Sequence, residues 1–182
     1  MISGTKLLAD KKIKSALERI DAVKYFEEDV FAVFKGICLD LNFEKFALAI
    51  FSGRKDITES FSIYNTYSKE WIQHYKEKQY HLCDPVFSSL RKVAVPFEWD
   101  TKSFDGLLPT QQTLMEESFD FGIKSGITIP LIPYATFHGF VTVLNQSSLH
   151  HDVLYTLSLV GNVCSNKIIS LQDKRNFSRR PD

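Results

Sequence analysis

The sequence has little of what cross-linking or metal binding would need. Its three cysteines, Cys38, Cys83 and Cys164, are odd in number and widely separated, and no CxxC occurs. That pattern indicates neither a zinc site nor a disulfide framework. Net charge is also absent, because 22 Lys and Arg balance 22 Asp and Glu. A body without net charge does not hold nucleic acid through its overall field. There is no apolar N-terminal signal segment and no membrane-length apolar run, so the expected location is cytoplasmic. Neither GxGxxG nor GxxxxGK[ST] is present, which removes the common nucleotide-binding turns. The one histidine pair, His150-His151, sits in a polar turn far in sequence from Asp84. No catalytic spacing emerges, and the chain is not expected to be an enzyme.

What is present is apolar and aromatic. Of 182 residues, 44% are apolar and fifteen are Phe, enough for one globular domain with a wide apolar interior. Leu8, Ile13, Leu17, Ile20 and Val23 predict a first helix, and Phe26, Val30, Val33, Phe34, Ile37 and Leu41 a second. Phe46-Ala-Leu-Ala-Ile-Phe51 is apolar on both faces and predicts a strand covered on both sides. Ser52 to Asp56 reads as a turn, and Ile57 to Tyr64 as the return strand. A helix is expected from about Leu108 to Phe121, with Pro109 near its start and Gly122 at its end. Strands are expected next over Gly126–Leu131 and Phe140–Leu144, joined by a turn over Tyr134–His138. A last helix runs from about His151 to Lys174. Its seam of Leu154, Leu157, Gly161, Cys164, Ile168 and Leu171 suits packing on the sheet or a subunit interface. The expected fold is therefore α+β: an α-β-α sandwich with a mostly antiparallel sheet of about five strands and helices on both faces.

The chain is organised around Tyr67 to Pro85. Tyr67, Trp71 and Tyr75 are spaced four apart, which on a helix aligns three rings with polar tips along one stripe. A plain core prefers Leu, Ile and Val, which carry no donor. Tyr and Trp need a partner when buried. The stripe fits either a cavity for a small amphiphile or a core helix whose polar tips reach the surface. Asp84-Pro85 reads as the N-cap and first residue of another helix.

The string Tyr-x-x-x-Trp-x-x-x-Tyr-x-x-x-x-Tyr-x-x-x-Asp-Pro-Val resembles the autoinducer-binding domain of LuxR-type quorum-sensing regulators. The resemblance continues through Pro96-Phe-Glu-Trp99, Phe121-Gly-Ile-Lys-Ser-Gly-Ile-Thr-Ile-Pro130 and Gly139-Phe-Val-Thr142. These pieces come in family order and cover most of residues 20 to 172. The resemblance implies the sensor domain of a transcriptional regulator that binds an N-acyl-homoserine lactone in a buried pocket, needs no other cofactor, forms a homodimer and touches no membrane.

It also implies roles. Trp71, whose indole only donates, matches the residue that binds the lactone carbonyl. Asp84, which when ionised only accepts, matches the acceptor for the amide N–H. Tyr67 matches the hydroxyl donor to the amide oxygen, and Thr142 a pocket hydroxyl near the amide or a 3-oxo group. Tyr75 and Trp99, the latter expected in an irregular stretch, match aromatic walls. Gly126 matches a close approach of backbone, or a simple strand bend. Ala47, Ala49, Phe51, Phe61, Ile63, Phe104, Leu114 and Ile123 are candidates for the acyl tube, although a plain core would use the same residue types.

The domain is expected over 1–174. Residues 175–182 resemble the lead-in to a helix-turn-helix domain, for which no room remains, so specific DNA binding by this chain alone is not expected. Two further readings stay open. One is a naturally short family member that antagonises full-length relatives by heterodimerisation or ligand sequestration. The other is a PAS- or GAF-like sensor of another small apolar ligand, against which the pairing of Trp71 with Asp84 argues.

Overall fold

The computed structural model describes residues 4–51, 61–90, 92–102, 104–131, 139–145 and 148–177, with backbone only for 4–10, 61, 176 and 177. Five antiparallel strands form one sheet in the order β2-β1-β5-β4-β3. They are β1 (Phe46–Phe51), β2 (Phe61–Asn65), β3 (Phe97–Asp100), β4 (Ser125–Leu131) and β5 (Gly139–Leu144). Helices α1 (Gly4–Ala22), α2 (Glu27–Asp40) and α6 (His151–Phe177) pack with one face of it. Helices α3 (Lys69–Glu77), α4 (Pro85–Leu90) and α5 (Pro109–Asp120) belong to the other. This is the α+β sandwich that the sequence implies.

Alternation along the strands divides the interior in two. Phe46, Leu48 and Ile50 of β1, Ile127, Ile129 and Leu131 of β4, and Val141 and Val143 of β5 share a core with α1, α2 and α6. The intervening residues, with side chains on the opposite face of each strand, look toward α3, α4 and α5. On that second face the residues include Ala47, Ala49, Gly126, Thr128 and Thr142. Small side chains in the three central strands leave room there that branched residues would fill.

Several expectations need correction. Phe26 is not part of the α2 apolar face; it precedes the helix and is 62% exposed. Tyr67 lies before α3 rather than on it, because Ser68 caps the helix by accepting from the Trp71 N–H. Trp99 is not in an irregular stretch but on β3, paired opposite Gly126. The α6 seam faces inward: Leu157, Cys164, Ile168 and Leu171 are buried in the core of the same chain. A Cβ at Gly161 would lie 2.8 Å from Val141 Cγ2, so helix and sheet already touch there. The seam is therefore not available as a subunit interface. The turns expected over 52–56 and 134–138, and the beginning of the return strand before 61, lie outside the described residues. Helix α6 runs on to Phe177, past the expected end at 174. Residues 178–182 lie outside the described residues as well.

At its far end α6 is tied to the start of α2. Glu27, only 4% exposed, pairs with the Arg175 guanidinium. A buried carboxylate requires such a partner, and its place in the first turn of α2 adds the favourable helix dipole. No helix among the described residues is long and apolar enough to cross a membrane.

Candidate functional site

A cavity of about 110 Å³ lies between the second face of the sheet and α3, α4 and α5. Its wall is mostly apolar. The sheet contributes Ala47, Ile63, Trp99, Phe140, Thr142 and Leu144, and the helices and the segments that lead into them contribute Tyr67, Trp71, Ile72, Tyr75, Asp84, Val86, Phe87, Leu114, Met115, Ser118 and Ile123.

Among the described residues, Asp84 is the one carboxylate in this wall. It reaches the cavity because it caps α4: Oδ1 accepts from the Val86 N–H at 2.8 Å, and Pro85 occupies the first helical position without needing a hydrogen-bond acceptor. The second oxygen, Oδ2, accepts from the Tyr75 hydroxyl at 2.8 Å. Burial pushes the Asp84 carboxyl above its usual range, and the bonds from Tyr75 and from the Val86 and Phe87 backbone oppose this in part. The cap and the ligand-facing acceptor proposed for this residue are thus compatible.

Burial and the nearby Asp84 charge raise the Tyr67 and Tyr75 phenols, so both stay protonated donors at neutral pH. The Tyr75 proton is already given to Asp84. Among the described residues, the Tyr67 hydroxyl and the Trp71 indole N–H have no hydrogen-bond acceptor. Trp71 is 4% exposed and packs against Tyr75, 5.7 Å between ring centroids, and against Phe121 at 5.2 Å. Two unused donors and one carboxylate therefore border the same small space.

The aromatic wall at Trp99 is positioned by the glycine opposite it. A Cβ at Gly126 would stand 2.6 Å from Trp99 Cζ2, so the indole lies directly over that backbone. This answers the choice between a close approach and a strand bend. The Trp99 N–H donates to Thr128 Oγ1 at 2.9 Å and is not free for a ligand.

Of the residues expected in the acyl tube, Ala47, Ile63, Leu114 and Ile123 line the cavity. Ala49 and Phe51 do not. They form a separate buried cluster with Leu90 and Phe140 behind the Phe87–Phe140 contact, whose rings meet edge-on at 5.1 Å. Phe104 packs behind the wall without lining it. The side chain of Phe61 lies outside the described atoms. Ile72, Val86, Phe87, Met115, Ser118, Phe140 and Leu144 line the cavity without having been singled out. A signal existed for four of them: Phe140 and Leu144 share the Thr142 face of β5. For Val86 and Phe87 it lay in their place on the first turn that Asp84 caps.

A polar clasp ties α3 and the segment after it to α5. The Glu117 carboxylate of α5 meets His74 Nε2 of α3 at 2.5 Å and accepts from the Tyr80 hydroxyl. His74 stacks on Phe121 at 5.6 Å. These bonds hold the Glu117 carboxyl below the usual range, chiefly through Tyr80 and then His74. A lowered folded value means that this stabilisation is present above the unfolded carboxylate pKa of about 4.3. It is lost as pH falls through the lower folded value. Glu117→Gln is expected to cost about 1 kcal/mol at neutral pH, since the group is partly exposed. The difference from wild type should disappear in acid below that window, as urea unfolding at a series of pH values would read. Among the described residues no group of three or more His, Cys, Asp or Glu is placed to hold a metal ion.

Comparison with known proteins agrees with this geometry. The family model described as "Autoinducer binding domain" matches residues 27–164. The transcriptional activator protein TraR of Rhizobium radiobacter is 30% identical over 83 residues, which are 45% of this chain and 34% of that protein. This chain thus spans about a third of that curated relative. Among solved structures, the fold superposes on Escherichia coli SdiA with a TM-score of 0.70 at 18% identity, covering 89% of this chain and 68% of that one. For SdiA in complex with octanoyl-rac-glycerol the TM-score is 0.63 at 18% identity, covering 90% and 66%. The N-acylhomoserine lactone dependent LuxR family factor CepR2 of Burkholderia cenocepacia gives 0.67 at 15% identity, covering 93% and 99%. The chain belongs to the autoinducer-binding domain family, the ligand-sensing domain of LuxR-type quorum-sensing regulators.

Proposed function

We propose that the cavity binds an N-acyl-homoserine lactone. One observation carries this reading: two donors without an acceptor among the described residues, Tyr67 and Trp71, and one acceptor-only carboxylate, Asp84, share a mostly apolar wall. An acyl-homoserine lactone offers the complementary set, two carbonyl oxygens and one amide N–H, on an apolar tail. In this reading the Trp71 N–H donates to the lactone carbonyl, Asp84 accepts from the amide N–H, and the Tyr67 hydroxyl donates to the amide oxygen. The tail packs among Ala47, Ile63, Leu114, Met115 and Ile123.

A purely apolar ligand would leave the Asp84 charge desolvated with nothing gained from it. A neutral acylglycerol, the kind of molecule named with SdiA, is the second reading, since its hydroxyl could serve Asp84. Expression in cells supplied with a mixture of acyl-homoserine lactones, followed by mass spectrometry of what the purified chain retains, separates the two. One lactone of defined chain length in near-equal amount is the expected result. An acylglycerol, or no retained molecule, would speak against the lactone.

The same reading makes the domain a cytoplasmic sensor that pairs with a second copy, without binding DNA by itself. Because the α6 seam is occupied internally, pairing would use surface that this fold leaves open. Sedimentation with and without ligand tests the pairing, and a strict monomer at high concentration would remove it.

A further inference from the structure

On α5 the cavity wall is a stripe. Leu114, Met115 and Ser118 line the cavity. Gln111 lies three residues before Leu114 and four before Met115, on the same face of the helix. An apolar residue there would prolong the stripe. The sequence instead has an amide, partly buried at the start of the helix.

Both ends of that amide are engaged. Gln111 Oε1 accepts from the Leu108 N–H at 3.0 Å. Its Nε2 donates to the Cys83 carbonyl at 2.9 Å. The partners fix the orientation, because a backbone N–H only donates and a carbonyl only accepts. The first bond closes the opening turn of α5. The second reaches 28 positions back in sequence, to the residue before Asp84.

The peptide unit between Cys83 and Asp84 is thereby held on both sides. Its N–H donates to the Tyr80 carbonyl at 2.9 Å, and its C=O accepts from Gln111. A planar unit gripped by both groups cannot turn without breaking one of the bonds. Pro85 restricts the Asp84 backbone from the other side. The point from which the carboxylate enters the cavity is fixed by these contacts together. Tyr80 and Pro85 belong to the same local segment as Asp84. Gln111 brings the hold from across the cavity, on the helix that carries Leu114, Met115 and Ser118.

We propose that Gln111 is a positioning residue that, through the Cys83–Asp84 peptide, aims the Asp84 carboxylate into the cavity and keeps it in register with the α5 wall. Gln111 does not itself line the cavity. The proposal rests on the lactone reading above, in which Asp84 accepts from the ligand amide.

The test is calorimetric titration of the full chain with N-acyl-homoserine lactones of graded chain length. Gln111→Met keeps the length of the side chain without either bond, and should weaken binding of the preferred lactone about three- to tenfold, the ratio that one neutral hydrogen bond implies. Gln112→Met, on the exposed face of α5, should leave binding unchanged. In an Asp84→Asn background, Gln111→Met should cost less than about twofold, because the group it aims is gone. A residue that merely holds α5 in place would cost the same factor in both backgrounds. Gln111→Ala serves if the methionine variant does not fold.

A second readout needs no ligand. The Val86 N–H donates to Asp84 Oδ1 at 2.8 Å, so its amide proton resonance reports where the carboxylate sits. It should move in Gln111→Met and stay in place in Gln112→Met. Three results would each overturn the proposal while leaving the lactone reading intact. They are unchanged binding by Gln111→Met, an equal loss in the Asp84→Asn background, or a loss of binding without movement of the Val86 signal. Binding of no lactone by wild type would overturn the lactone reading itself, and this proposal with it.

Discussion

Asp84→Asn is expected to weaken lactone binding by about 10- to 150-fold while leaving the ligand-free domain as stable as wild type, or more so. The two halves of this result have one cause. In the cavity the carboxylate already accepts from Tyr75 and from the Val86 N–H, and the ligand amide would be a further donor. Asn offers one oxygen. If that oxygen stays on Val86, its NH2 group meets the ligand N–H, donor against donor. Hydrogen bonds to charged groups contribute about 1.5–3 kcal/mol, which sets the fold-change.

Without ligand the sign reverses. Burial raises the folded Asp84 pKa, so the native state holds its proton more tightly than the unfolded chain. Stability then falls as pH rises from the unfolded value of about 3.9 to the higher folded one, and the penalty persists above it. Asn removes that penalty and caps a helix as well as Asp does. Tyr75→Phe, which removes one donor to the carboxylate but not the acceptor itself, should weaken binding less. Titration with lactone and thermal melts without it read the two halves. A binding loss accompanied by an equal loss of ligand-free stability would make Asp84 only a helix cap.

The largest effect on folding is expected at Gly139. A Cβ there would lie 2.0 Å from the Ala49 carbonyl oxygen and 3.2 Å from Ile50 Cα. Both are backbone atoms of β1, which pairs with β5 at this point through Ile50 and Gly139. No rotamer change relieves such contacts, so the two central strands must separate. Gly139→Ala should cost about 3 kcal/mol or more, the upper end for overpacking. For a domain of this size that is a fall of about 6–12 °C in Tm. Gly36→Ala is the matched control. Gly36 is exposed within α2, and a Cβ there would meet nothing within 4 Å. Alanine should therefore stabilise by about 0.5–1 kcal/mol. Similar melting temperatures for the two variants would contradict the β1–β5 register.

The sheet and the helical layers were legible because their signals are local and redundant. β1 announces itself by six consecutive apolar residues, and α4 by Asp84-Pro85. What escaped depended on partners distant in sequence. Trp99 looked irregular because β3 is only four residues long, with Glu98 and Asp100 flanking the indole. Its strand character comes from pairing with Gly126. The α6 seam has the spacing of an interface helix, and spacing alone cannot say whether the partner is another chain or the chain's own sheet.

The cavity lining was legible in Tyr67, Trp71, Tyr75, Asp84 and Thr142, whose chemistry is specific, and less so in Ser118 and the apolar residues. Ala49 and Phe51 share a strand face with Ala47, yet they pack with Leu90 and Phe140 rather than lining the cavity. Met115 and Ser118 enter it through the packing of α5. Neither fact is written in one stretch of sequence. The Trp99–Thr128–Thr142 hydrogen-bond chain is likewise visible only once three strands are side by side.

Calorimetric titration of the purified chain with N-acyl-homoserine lactones of graded length, each beside its ring-opened acid, tests the central claim most directly. The acid keeps the tail and the amide but replaces the neutral ring carbonyl facing Trp71 with a charge that this apolar wall cannot solvate. Saturable one-site binding of a preferred lactone, with its acid at least tenfold weaker, is the predicted result. No binding at any chain length, or equal binding of lactone and acid, would contradict it.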